Sequence, residues 1–532
     1  MSMTDQAHTG RSDDLREASP YLHLVKDAMR RWSQRTAFVE RDRTMSFAET
    51  RDLIGRTMSA LAARGVSRGD RVGVLAPNSA DAWIVSVATQ FLGGISVGFH
   101  SKASPDDHVT IAAAADLKLF VAEGRFGDTA TRVSEALMSI QVAALGPGPD
   151  VGPDLFSEAD RSPVATLDAE VAANGDLAEL IYTGGTTGRS KGVMQSHRSR
   201  AAISLASQLA YELPVRPRYL ASAPITHATG HWVVPTLMRG GSVVLMDGFD
   251  AEEFVDNVKR HELSLAFLVP SMIYKLLDAA PSEDWLRMPS LERIIYGASP
   301  MSIDRLVEAH ERIGRIFTQI YGQTESLALG TALLSDEHDL NNPDRLRSCG
   351  RQVPGTRVEL LDTDYQPVPA GEVGEMCIKA PSVMEGYLDD PELTAEALAG
   401  GWLHSGDMGR ADEDGYITIV DRKKDFVITG GFNVYSREVE DAVLDHPAVA
   451  AAAVIGVPDE VWGEAVAAIV VPVKGQRVDP DEIKASVRAA KGPVYAPKLI
   501  EVVDELPLTA VGKIDKPRLR ERFWASHDRQ VH

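Results

Sequence analysis

From Ser46 onward the apolar positions alternate between helical spacing and short continuous runs. Ser46 followed by Glu49 is a capping-box pattern and predicts a helix that ends near Gly65. RVGVL, Arg71 to Leu75, reads as a buried strand, and Asp81 to Leu92 reads as an apolar helix. Gly93 and Gly94 then break the chain before another short strand. Helix, strand, helix, strand in this order predicts an α/β architecture, with mainly parallel sheets covered by helices.

The stretch GPGPDVGPD, Gly146 to Asp154, opposes both helix and strand, and similar patterns resume from Leu180, so it is expected to be a surface loop within one large domain. A stronger break is the charge run DRKKD, Asp421 to Asp425, between the turn ADEDGY and the strand FVIT. In the tail beyond it, Ser436 begins a helix with Glu438 and Glu440 near its positive end. AVAAAAVIGV follows as a buried strand, and Asp479, Pro480 and Glu482 start a further helix. The expected organisation is a large, multi-subdomain N-terminal domain over 1–421 and a small α+β C-terminal domain over 422–532.

At 532 residues the chain is long enough for more than one core. Its formal charge is 55 minus 76, or -21, without a sustained basic tract, which disfavours nucleic-acid and anionic-membrane partners. Cys349 and Cys377 lack metal-binding or disulfide spacing. The first twenty residues have no apolar targeting core, and no run reaches the eighteen or so apolar residues of a membrane span, so a cytoplasmic location is expected.

The most informative segment is TGGTTGRSKG, which contains Thr183, Gly184, Gly185, Thr186, Thr187, Gly188 and Lys191. Glycines let backbone N–H groups approach a phosphate, hydroxyls add donors, and Lys191 adds charge. The strand-like LAELIY precedes it. It is not a Walker loop, because Arg189 and Ser190 separate Gly188 from the lysine.

This loop resembles the phosphate-binding signature of the adenylate-forming superfamily: acyl-CoA synthetases, aryl-CoA ligases, luciferases and peptide-synthetase adenylation domains. Ser190 departs from the proline usual there, which loosens the loop without removing a donor. YGQTE, preceded by Gln319, is similar to the family's YGxTE and comprises Tyr321, Gly322, Gln323, Thr324 and Glu325. The resemblance implies adenine stacking by Tyr321, α-phosphate contact by Thr324 and a Mg2+ ligand in Glu325. An aromatic face beside a purine and a carboxylate on a hard cation suit those roles. YGASP resembles the adenine-pocket segment, implying that Gly297, Ala298, Ser299 and Pro300 line it.

By the same resemblance, Asp407 of HSGDMG and Arg422 of DRKKD contact the ribose, and Lys424 is the hinge of a mobile small domain. Gly431 of GGFN matches the pantetheine path, and Lys513 of PLTAVGKIDKPRLR matches the catalytic lysine. An ammonium between carboxylate and α-phosphate offsets the repulsion of two anions. The matches, including GEVGE, EGYLDDPELT and GWLHSGD, occur in family order over almost the whole chain after the first forty residues.

The resemblance implies an AMP-forming acid–thiol ligase that consumes ATP with Mg2+ and passes the acyl group to CoA, by domain alternation. Lys513, Thr183 and Glu325 are its expected catalytic residues, and a homodimer is compatible with it. The acyl pocket is expected at PITHATGHW, with His227, Ala228 and Gly230, together with Ala298, Gly322 and Leu327. Small side chains there suggest a bulky apolar acid. The alternatives are an acyl-AMP ligase serving a carrier protein and a non-catalytic ATP-binding regulator, the latter opposed by intact Lys191, Glu325 and Lys513. A serine hydrolase is disfavoured, because Met301 stands at the last glycine position of a GxSxG elbow.

Overall fold

A computed structural model describes residues 20–146, 152–183, 190–423, 426–429, 432–459, 461–473, 475–507 and 514–524. Packing divides the chain into two compact units, Met1–Val358 with Ile378–Leu403, and Glu359–Cys377 with His404–His532.

The first unit contains two large sheets. In the seven-stranded sheet the order is Gly386–Tyr387, Lys191–Ser196, Leu177–Thr183, Ile95–Gly98, Arg71–Leu75, Leu119–Glu123 and Gln141–Leu145. Its last five strands are parallel, and the first two join antiparallel. The nine-stranded sheet has six parallel central strands: Phe317–Tyr321, Arg293–Gly297, Leu265–Leu268, Arg218–Ala221, Ser242–Leu245 and Thr36–Glu40. Antiparallel strands finish both edges. Continuous apolar runs such as RVGVL suit strands buried on both faces.

One apolar cluster joins the inner faces of both sheets to helices such as Phe47–Ala63 and Ala80–Phe91. The Ser46–Glu49 capping box is present: Ser46 Oγ accepts from Glu49 N at 3.2 Å, and Glu49 Oε2 accepts from Ser46 N at 2.7 Å. The Gly146–Asp154 stretch lies within this unit, with 147–151 outside the described residues.

The second unit holds the greater part of a four-stranded sheet, in the order Arg357–Leu361, Val373–Lys379, Leu403–Ala411 and Ile417–Arg422. Its other sheet orders Phe432–Val434, Val427–Thr429, Gly463–Pro472 and Val449–Asp459, with Leu499–Val502 alongside Gly463–Pro472. Alternating residues of the long hairpin feed two cores. One packs helices Ser436–Leu444 and Pro480–Lys491, and the other receives Leu519 of helix Lys516–Trp524.

The packing division does not coincide with the break at 421/422, since 359–377 and 404–421 pack with the tail. Asp421 supplies one reason. Its buried carboxylate accepts from the backbone N–H of Ser436, and from Ser436 Oγ at 3.1 Å, capping the helix that opens the tail. Among the described residues, no helix is long and apolar enough to cross a membrane.

Candidate active site

Thr183 ends strand Leu177–Thr183 and pairs with Lys191, the first residue of the antiparallel strand Lys191–Ser196. The strands on either side of the glycine-rich segment therefore form an antiparallel hairpin. Gly184, Gly185, Thr186, Thr187 and Gly188 lie outside the described residues, whereas Ser190 directly precedes the second strand.

Lys191 Nζ lies 5.4 Å from the centre of the Tyr387 ring. The Tyr387 hydroxyl in turn donates to Glu325 Oε1 at 2.8 Å. Burial and the adjacent Glu325 carboxylate raise the phenol pKa, so this group remains a donor. Tyr387 thus connects the cation of the hairpin to the carboxylate of YGQTE, a link the motif reading did not single out.

Backbone pairing makes the link rigid. Gly386 and Tyr387 pair with Met194 and Val193, and Met384 N donates to Glu325 O at 2.8 Å. Gln195 Nε2 donates to Thr324 O at 2.7 Å. Three segments distant in sequence are held together in this way.

The YGQTE and YGASP segments leave the C-terminal ends of adjacent parallel strands, Phe317–Tyr321 and Arg293–Gly297, where open α/β sheets bind ligands. Thr324 starts a short 3₁₀ turn, after which Leu327 and Ala328 adopt positive φ of 53° and 59°. That turn folds so tightly onto Gly322 that an added Cβ would lie 2.4 Å from the Ala328 carbonyl carbon. Gly297 is equally constrained, its Cβ position being 2.5 Å from Ile320 O. Ala298 has φ of 68° and, like Pro300, is exposed, whereas Ser299 is half-buried. Gln319 lies beside Tyr296, with Oε1 3.1 Å from the tyrosine hydroxyl oxygen.

Ala228 and Gly230 belong to the 3₁₀ turn Ala228–Trp232, which follows His227. The His227 ring meets that of His100 edge-on at 4.9 Å, and its Nδ1 is 3.0 Å from Thr226 Oγ1. Burial, reinforced by His100, pushes the His227 pKa down to about 4. Next to this turn, buried His231 places Nδ1 3.3 Å from Arg200 Nη1, and Arg200 Nη1 is 3.3 Å from Glu179 Oε2. Burial lowers His231 to about 3, so both histidines are neutral at physiological pH. Leu327 belongs to the main core and is fully buried, so it does not face open space.

In the second unit, Asp407 and Arg422 are cross-strand partners, with Arg422 Nε 3.3 Å from Asp407 Oδ1. Asp407 is buried and Arg422 exposed. Glu375 supports the Asp407 turn by accepting from Gly406 N at 3.1 Å. Its other oxygen lies 3.0 Å from both Lys423 Nζ and His404 Nδ1. Burial opposes ionisation of Glu375, but these hydrogen bonds outweigh it and lower its pKa. Cys377 Sγ is 3.4 Å from His404 Nδ1, and burial pushes its thiol up to about 12. Together these contacts tie Glu375, His404, Cys377 and Lys423 into one polar cluster beneath the Asp407 turn. Lys424, Gly431 and Lys513 lie outside the described residues.

Parallel sheets joined to a hairpin at the glycine-rich segment, with a carboxylate and a lysine on either side of one tyrosine, are compatible with an adenylate-forming enzyme. Residues 25–388 match the family model described as AMP-binding enzyme, and 438–513 match the AMP-binding enzyme C-terminal domain. The chain belongs to the AMP-binding enzyme family and is an AMP-forming acyl-CoA synthetase in class.

It is 38% identical to a medium/long-chain-fatty-acid–CoA ligase, FadD8, of Mycobacterium tuberculosis, over 100% of this chain and 94% of that protein. It is 36% identical to a feruloyl-CoA synthase of Amycolatopsis sp, over 90% of this chain and 94% of that protein. The solved structure of the amide bond synthetase McbA from Marinactinospora thermotolerans superposes with a TM-score of 0.86 at 33% identity, covering 95% of this chain and 100% of that one.

Proposed function

We propose that this enzyme activates a bulky apolar carboxylic acid with ATP and transfers the acyl group to CoA. The observation that carries the proposal is the Lys191–Tyr387–Glu325 arrangement beside the glycine-rich hairpin. It offers a cation for phosphate oxygens and a carboxylate fixed in direction, as nucleotide chemistry requires.

In the first half reaction the acid's carboxylate attacks the α-phosphate of ATP, giving an acyl adenylate and pyrophosphate. In the second a thiol displaces AMP and leaves a thioester. Glu325 fits a Mg2+ ligand: it is a half-buried oxygen donor with one oxygen held by Tyr387. When bound, the ion neutralises charge on the departing pyrophosphate. Thr183, Thr324 and Lys191 bind phosphate oxygens, and Tyr321 orients the purine. The neighbouring Asp407 and Arg422 suit the ribose diol, since a carboxylate accepts from two hydroxyls. Lys424 serves as the pivot between half reactions, Gly431 lies on the pantetheine path, and Lys513 supplies the charge that brings carboxylate and phosphate together.

The small residues Ala228 and Gly230 beside a neutral His227 support an apolar acid, as do relatives named for a fatty acid and for feruloyl-CoA. The likeness to an amide bond synthetase favours one competing reading, in which the adenylate is delivered to an acceptor other than CoA.

The test is acid-dependent pyrophosphate release across a library of carboxylic acids, with and without CoA. Medium or long aliphatic or bulky cyclic acids are expected to support release, and CoA to yield their thioesters. Strict preference for acetate or a short dicarboxylate would sink the substrate reading. Adenylate formation without any thioester would favour the other acceptor.

A further inference from the structure

Tyr296, His338 and Gln319 form a hydrogen-bonded chain in which the donors can be deduced one by one. The Tyr296 and His338 side chains are each 1% exposed. Nδ1 of His338 is 2.7 Å from Leu334 O, and a carbonyl oxygen can only accept, so Nδ1 carries the proton. Burial holds the His338 pKa down to about 4, so the ring is neutral near pH 7 and its Nε2 must accept. The group 3.0 Å from Nε2 is the Tyr296 hydroxyl, whose one proton is thereby committed.

The same hydroxyl oxygen lies 3.1 Å from the Gln319 amide atom placed as Oε1. With its proton already given to His338, Tyr296 can only accept here. Amide oxygen and nitrogen are distinguished by their hydrogen bonds, and these require the amide to be turned over, with its NH2 donating to Tyr296. The Gln319 carbonyl then points away from Tyr296. Tyr296 and Gln319 are register partners on adjacent strands, and Tyr321, two residues further on, lies on the same face as Gln319.

We propose that Tyr296 and His338 are positioning residues that lock Gln319 as a hydrogen-bond acceptor, so that the nucleotide site takes a 6-aminopurine and rejects a 6-oxopurine. The inference rests on the proposed placement of the purine beside Tyr321. Adenine presents an NH2 donor at C6, which the Gln319 carbonyl accepts. Hypoxanthine presents an oxygen there, which would face another oxygen. A glutamine free to rotate could serve either base, and the buried chain removes that freedom.

The experiment compares ATP with inosine triphosphate in acid-dependent pyrophosphate release by the full-length enzyme and two variants. Wild type is expected to prefer ATP strongly. Tyr296→Phe frees the amide to rotate, so the ratio of kcat/KM for ATP to that for inosine triphosphate should fall about tenfold or more, with part of the change a gain for the inosine nucleotide. Gln319→Leu removes the reader itself and should bring the two nucleotides close together. Because each ratio is internal to one preparation, a partly unfolded variant lowers both rates and leaves the ratio unchanged. An unchanged ratio in Tyr296→Phe, or wild type using both nucleotides equally well, would overturn the proposal. Failure of wild type to use ATP with any acid would instead overturn the adenylation reading beneath it.

Discussion

The Tyr387 hydroxyl donates to Glu325 Oε1 at 2.8 Å while the centre of its ring lies 5.4 Å from Lys191 Nζ, so one side chain touches both charged groups. A hydrogen bond to a carboxylate is worth about 1.5–3 kcal/mol. Tyr387→Phe should therefore lower kcat/KM for ATP by roughly tenfold or more while preserving the fold, because the aromatic ring remains. Steady-state pyrophosphate release, with a melting curve as control, checks this. Activity equal to wild type would show that Glu325 needs no orienting partner.

Gly322 has no space for a methyl group, its Cβ position being 2.4 Å from the Ala328 backbone. Backbone is less able to yield than a flexible side chain, so Gly322→Ala should destabilise the first unit by about 1–3 kcal/mol and depress adenylation. Urea unfolding and pyrophosphate release read the two effects separately. A variant as stable and active as wild type would mean that the turn relaxes freely.

His197, His227, His231, His310 and His338 all have pKa values lowered to about 3–4, with burial as the leading cause. Unfolding returns each to an ordinary value near 6.5. Below about pH 6.5 the unfolded chain therefore binds protons that the native chain does not, and stability falls with pH until the native values near 3–4 are reached. Above pH 7 these groups contribute no slope. Urea midpoints are expected to be flat from pH 7 to 8 and to drop clearly by pH 5. Equal midpoints at pH 5 and 7 would contradict burial of these rings.

Lys513→Ala should reduce acid-dependent pyrophosphate release by about a hundredfold or more, with ATP binding largely retained, because the ammonium acts on charge developed during the reaction. Isotope exchange between pyrophosphate and ATP measures the step directly. Full-rate adenylation by this variant would remove Lys513 from the catalytic assignment.

Much of the architecture was legible locally. The Ser46–Glu49 box, the strand RVGVL and the Asp479–Pro480 helix start each depend on neighbours within a few residues, and all three form as expected. The antiparallel hairpin around the glycine-rich loop was less so, since strand direction depends on pairing rather than on propensity. Tyr387 escaped notice for a similar reason: it lies 62 positions from Glu325, and EGYLDDPELT does not indicate which carboxylate its hydroxyl meets.

The ordered motifs from Thr183 to Leu519 were enough to establish an adenylate-forming ligase, because the chemistry of phosphate and purine requires particular residue types in short runs. Tertiary structure alone decided that Asp421 caps the Ser436 helix, that Leu327 is buried in the core, and that the Tyr296 hydroxyl lies between His338 and Gln319. Those facts depend on burial and strand register between residues remote in the chain, and burial determines which groups keep their protons. Local pattern encodes what a segment can form, whereas long-range packing decides what its side chains meet.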